Sequence, residues 1–128
     1  MRYYIILFTC GLLLSCKPDK TLNISTIKGF PQQIMGCSCY YATSEQNFKD
    51  QLYIYLDSYE TTPAFISIAD TLVAVDPRAQ AQTDYKIEFD IEKEIQLDQE
   101  LFHREGTLTV TAPDGSKFTT PIYGECGC

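Results

Sequence analysis

Tyr85-Lys86-Ile87-Glu88-Phe89-Asp90-Ile91-Glu92 alternates without a break, apolar or aromatic at odd positions and charged at even ones. Successive side chains of a strand point to opposite faces, so the pattern predicts a strand with one buried and one wet face; a helix would repeat its apolar residues every three or four positions. Outward from it, the same period predicts strands over Cys37 to Ala42, Leu52 to Asp57, Ala64 to Ile68, Thr71 to Val75, Thr107 to Ala112 and Lys117 to Tyr123. Leu22 to Ile27 adds a short edge strand. Pro113-Asp114-Gly115-Ser116 is turn chemistry that joins the last two strands as a hairpin, and Ala69-Asp70 closes another. Thr43-Ser44-Glu45-Gln46 has capping-box spacing with Thr43 at the cap, which predicts one or two helical turns over Ser44 to Lys49. The expected fold is all-β: a small antiparallel meander, barrel or sandwich, of seven to eight strands with one short helical turn.

The beginning of the chain reads differently. Arg2 is followed by an apolar run from Tyr3 to Leu14, shorter than the roughly 20 residues a membrane-spanning helix needs. It has the anatomy of an export signal, but no small-residue A-x-A cleavage site follows it. Instead Leu13-Leu14-Ser15-Cys16 resembles the lipobox of bacterial lipoprotein precursors. The expected organisation is a signal peptide over 1–15, a lipidated tether over 16–30 and a β-domain over 31–128; 128 less 15 leaves 113 residues, one ordinary domain.

That resemblance implies that Cys16 becomes the first residue of the mature protein, with a thioether-linked diacylglycerol and an amide-linked acyl chain of the palmitate kind. The partner so implied is the lipid bilayer. Each buried methylene contributes about 0.8 kcal/mol, and more than one chain makes the attachment stable without a span. Lys17 rather than Asp follows Cys16, which by analogy with Gram-negative lipoproteins points to the outer membrane; Cys16-Lys17-Pro18-Asp19-Lys20 also resembles the charged start of Bacteroidota lipoproteins. Both faces of that membrane remain open.

The chain carries a formal charge of −7, and cleavage before Cys16 removes one base, Arg2, and no acid, taking it to −8. Such a domain is repelled by phosphate backbones, so nucleic acid is not an expected partner. The acidity suits either a solubilising surface or a basic partner such as a lysozyme-like protein.

Four cysteines follow the anchor: Cys37 and Cys39 in Gly36-Cys37-Ser38-Cys39, and Cys126 and Cys128 in Gly124-Glu125-Cys126-Gly127-Cys128. In an exported protein an even set of thiols reads first as disulfides. Residues two apart on a strand share a face, so two neighbouring strands could carry two cross-strand bridges. Antiparallel strands favour Cys37 with Cys128 and Cys39 with Cys126; parallel strands favour the other pairing. The rival is a Cu(I) or Zn(II) site on the same four sulfurs, since thiolates are soft ligands. Spacing weakens it, because zinc sites usually separate paired cysteines by two to four residues. Small β-barrel copper-responsive lipoproteins offer an analogy, but their motif is Cys-x-x-Cys and this chain departs from it. A strained redox bridge within one Cys-x-Cys is the third possibility, without the Cys-x-x-Cys signature that usually marks it.

Residues for catalysis are sparse, and no cofactor is expected. His103 is the only histidine and reads as a solvent-facing residue in a loop or strand edge. Asp90, Glu92 and Glu94 alternate as the wet face of one strand, with a cation site as the sharper reading. Tyr53 and Tyr55 should share one strand face, opposite Leu52, Ile54 and Leu56, and form a recognition patch if exposed beside Tyr40 or Tyr123. Lipoprotein inhibitors of c-type lysozymes are similar in architecture only, since their Ser-Gly loop motif has no counterpart here. The expected function is therefore that of a membrane-anchored envelope lipoprotein. Its non-catalytic, disulfide-stabilised β-domain would act as a binding or structural module.

Overall fold

The computed structural model describes residues 20–58, 63–77 and 84–128. The expected signal peptide, Cys16 and the start of the expected tether lie outside the described residues. Among those described, the protein is all-β, with ten strand segments and one short helix: β1 (Ile24–Ser25), β2 (Ile27–Lys28), β3 (Ser38–Ala42), α1 (Glu45–Lys49), β4 (Leu52–Tyr53), β5 (Tyr55–Ser58), β6 (Ala64–Ile68), β7 (Thr71–Val75), β8 (Lys86–Asp98), β9 (Leu101–Thr111) and β10 (Lys117–Gly127). Eight of them form one antiparallel sheet in the order β1-β6-β5-β3-β10-β9-β8, with β7 on the other side of β6; β2 and β4 make a separate two-stranded ladder.

Of the barrel or sandwich expected, no closed barrel is seen. Strands β7 and β8 stand at the two ends of the sheet, and no ladder joins them among the described residues. The sheet nevertheless curls over: Val75 of β7, Ile87 of β8, Ile66, Leu108, Val110 and Ile122 belong to one buried cluster. The apolar positions of period two thus face a common interior without hydrogen-bonded closure.

Local chemistry explains the turns. Gly115 takes φ +87° between β9 and β10, and the Ala112 amide donates to the Ser116 carbonyl at 2.8 Å. Asp114 also accepts from the Ser116 amide at 2.9 Å and from its hydroxyl. Ala69 and Asp70 both have positive φ, 49° and 62°, as a two-residue hairpin between β6 and β7 requires. Ser44, one residue after the expected Thr43, caps α1: its hydroxyl accepts from the Asn47 amide at 3.1 Å. Thr43 instead accepts from the Asn47 side chain through its own hydroxyl, at 2.8 Å.

The expected strand from Leu52 to Asp57 is two strands with a break at Ile54. The Ile54 amide donates to the Tyr41 carbonyl at 2.7 Å, while Tyr53 pairs with Ile27 and Tyr55 with Tyr41. The bend sends neighbours to different places. Ile54 and Tyr55 enter the main cluster; Tyr53 and Leu56 enter a second one with Ile27, Ala42 and Phe65, covered by Ile34, Tyr40 and Phe48. This part of the sheet is therefore buried on both faces, which is why its sequence does not alternate between apolar and polar.

Candidate functional site

The two Cys-x-Cys motifs lie on adjacent strands. β3 and β10 run antiparallel with Cys39 opposite Cys126 and Ser38 opposite Gly127, and two disulfides join them, Cys37–Cys128 and Cys39–Cys126, with Cα separations of 4.5 and 4.0 Å. Of the two pairings left open above, the antiparallel one is realised. The inner bridge is buried and the outer one ends at the exposed Cys128.

Several contacts fix this clasp. The Cys39 amide donates to Asp57 Oδ1 at 3.0 Å, and the Tyr55 hydroxyl donates to Asp57 Oδ2 at 2.9 Å. The Ser58 hydroxyl donates to the Met35 carbonyl at 2.6 Å, holding the approach to Cys37. Gly127, at φ +133°, turns the last strand so that the Cys128 amide donates to the Glu100 carbonyl at 2.9 Å. The carboxyl end is thus tied both to β3 and to the β8–β9 turn. All four sulfurs are engaged with one another, so none is a thiolate able to act as a soft metal ligand. Among the described residues no group of three or more His, Cys, Asp or Glu side chains is arranged to hold a metal ion. Asp90, Glu92 and Glu94 lie exposed along β8, and Glu94 receives the Arg104 Nε–H at 2.7 Å.

The register set by the clasp assembles an aromatic and acidic cluster on the face away from the main core. Tyr40 stands opposite Glu125, and its hydroxyl donates to Glu125 Oε2 at 2.6 Å. Tyr40 also stacks on Phe48 at 5.6 Å between ring centroids and meets Tyr53 edge-on at 5.8 Å. Burial, then the hydrogen bond to Glu125 and its negative charge, push the Tyr40 hydroxyl well above the usual tyrosine range. Burial and the same carboxylate raise Tyr53. Tyr55, wholly buried, is raised by burial and by Asp57.

His103 is corrected from solvent-facing to buried. It lies inside β9, only 9% exposed, its ring 4.5 Å from that of Tyr123 and its Nε2 2.8 Å from Glu105 Oε1. The hydrogen bond from His103, aided by Lys93 at 3.5 Å, holds the Glu105 carboxyl below the usual range. The recognition patch that depended on exposure of Tyr53 and Tyr55 does not form: they are 3% and 0% exposed and occupy different clusters. Sequence reasoning missed the Tyr40–Glu125 pair, although a signal was available. Cys37 opposite Cys128 and Cys39 opposite Cys126 in an antiparallel ladder place Tyr40 opposite Glu125.

No family model, no curated protein and no solved structure matches this chain. Among the described residues no helix is long and apolar enough to cross a membrane.

Proposed function

We propose that the protein is an envelope lipoprotein, anchored in the bilayer through an acylated Cys16, whose β-domain serves as a non-catalytic binding or structural module, in the outer membrane. The observation that carries this is the double clasp Cys37–Cys128 and Cys39–Cys126 in a chain that also carries Leu13-Leu14-Ser15-Cys16. Disulfides of this kind persist in oxidising compartments, and the lipobox resemblance names the export route that leads to one. The Lys17 that follows Cys16 supports the outer membrane over retention at the inner one. Support for a non-catalytic module comes from the sequence, which holds no nucleophile or metal motif.

The test is made in the native host with an alkyne-tagged fatty acid. The label should enter the protein, the recovered amino terminus should be a modified Cys16, and Cys16→Ala should abolish labelling and leave the precursor uncleaved. Unlabelled protein that still begins at Met1 would remove the anchor, and the compartment assignment with it.

A further inference from the structure

The two edges of the main sheet differ. β7 spans five residues, Thr71–Val75, and carries no charge. β8 spans thirteen, Lys86–Asp98, and its one ladder among the described residues is with β9. Every residue from Asp90 to Glu100 is exposed, including Ile91, Ile95 and Leu97 at 37%, 45% and 52%. A long free edge offers a row of main-chain donors and acceptors to any extended chain, and exposed apolar side chains along it give such a chain something to bury.

The charges select which chain. Glu88, Asp90, Glu92, Glu94 and Asp98 outnumber Lys86 and Lys93 on β8. Counted as an unbroken ladder, two copies of β8 pairing antiparallel about Lys93 would match Ile91 with Ile95 and Phe89 with Leu97, although the register shift at Glu92 turns Ile91 and Ile95 to opposite faces. That register also sets Glu92 against Glu94, Glu88 against Asp98, and Lys93 against itself. Moving the register by half a step relieves Lys93 against Glu94 but puts Ile95 against Glu92 and Leu97 against Asp90. Like charges directly opposite destabilise a ladder, so a second copy is rejected in the register that matches the apolar residues. Register shifts between Ile91 and Lys93 and between Gln96 and Asp98 disturb self-pairing further. A strand with basic residues in place of these acids meets no such penalty.

We infer that β8 is a docking edge for an extended, basic, amphipathic polypeptide segment of another protein, which adds to the sheet as a strand beside Asp90 to Leu97. This inference rests on the binding-module reading above and gives that module its partner class. The probe is a synthetic peptide alternating Lys and Val, offered to the mature, disulfide-bonded protein. It should bind, with the affinity falling as salt rises, and should slow hydrogen exchange of β8 amides while leaving β3 and β5 unchanged. A peptide alternating Glu and Val should not bind. N-methylation of every second amide of the Lys peptide on its pairing edge should weaken binding at least tenfold, as should D90K/E92K. Equal binding of the Glu peptide, indifference to N-methylation, protection that maps away from β8, or no binding at all would each overturn the inference. Any of these in a protein acylated at Cys16 leaves the envelope reading standing; an unacylated chain refutes that reading whatever the peptide does.

Discussion

Strands β3 to β5 and the outer half of β8 are both extended chain, yet among the described residues one is the most buried stretch and the other the most exposed. In the first region Tyr53, Ile54, Tyr55 and Leu56 are all 3% exposed or less. In the second, Ile91, Ile95 and Leu97 stand exposed, past the point where any described layer covers the strand. The difference teaches that periodicity reports the strand, while burial depends on whether a second layer arrives. For β3 to β5 that layer is the segment around Ile27 and Ile34 together with Phe48 of α1. Among the described residues, the clusters take Ile87 and, packed against them, Phe89, but no position of β8 beyond it.

Breaking the clasp should have the largest effect on the buried region. With Cys37, Cys39, Cys126 and Cys128 all changed to Ser, stability should fall by about 5 to 6 kcal/mol, of which about 4 to 5 is the loop-entropy value of one bridge at sequence separation 91 or 87 and the rest belongs to the second. Since the inner bridge alone already closes that loop, C37S/C128S should cost only about 1 kcal/mol. Denaturant midpoints check both, and an outer-bridge variant as unstable as the quadruple one would contradict the shared-loop account. Side-chain truncation sharpens the contrast next. Leu108, 0% exposed, should lose about 2 to 5 kcal/mol on change to Ala. Leu97→Ala should stay within about 0.5 kcal/mol. Equal costs at the two sites would mean that the β8 arm is covered in solution.

Two pH effects follow from the polar contacts. The Tyr55 hydroxyl is raised in the folded state, above its ordinary value of 10.0. Its contribution is therefore complete below pH ~10 and is lost as pH rises, by about 1.4 kcal/mol per pH unit while only the unfolded chain ionises. Y55F should flatten this alkaline loss in thermal melts; an unchanged slope would place the titration elsewhere. Glu105 is lowered from 4.5, so its contribution is present above that value and disappears as pH falls through the folded value. The effect is the smallest of the set because the carboxylate is at the surface. E105Q should reduce the drop in melting temperature between neutral and acid solution, and an identical drop would show the His103 contact to be without influence.

Much of the fold was legible because a single local rule carried it. Lys86 to Ile91, Ala64 to Ile68 and Thr71 to Val75 are strands where alternation or β-branched content predicts them, and the Pro113-Asp114-Gly115-Ser116 turn joins β9 to β10. Other features depend on tertiary context. His103 carries a polar label, and only the extension of β9 to Leu101 under Tyr123 buries it. The break at Ile54 follows from a hydrogen bond to Tyr41, thirteen positions away in sequence and invisible to local patterning. Barrel closure failed for a like reason: period two says that a residue faces inward, not whether the end strands meet. The clasp itself was half legible, since Cys-x-Cys spacing allows two pairings and only strand direction chooses between them.

The most direct test of the account is a non-reducing peptide map of the protein from its own host. The protein should have a mass four hydrogens below that of the reduced chain, with Cys37 linked to Cys128 and Cys39 to Cys126. Native protein in which these cysteines react with an alkylating reagent, or in which Cys37 is linked to Cys126, would contradict it.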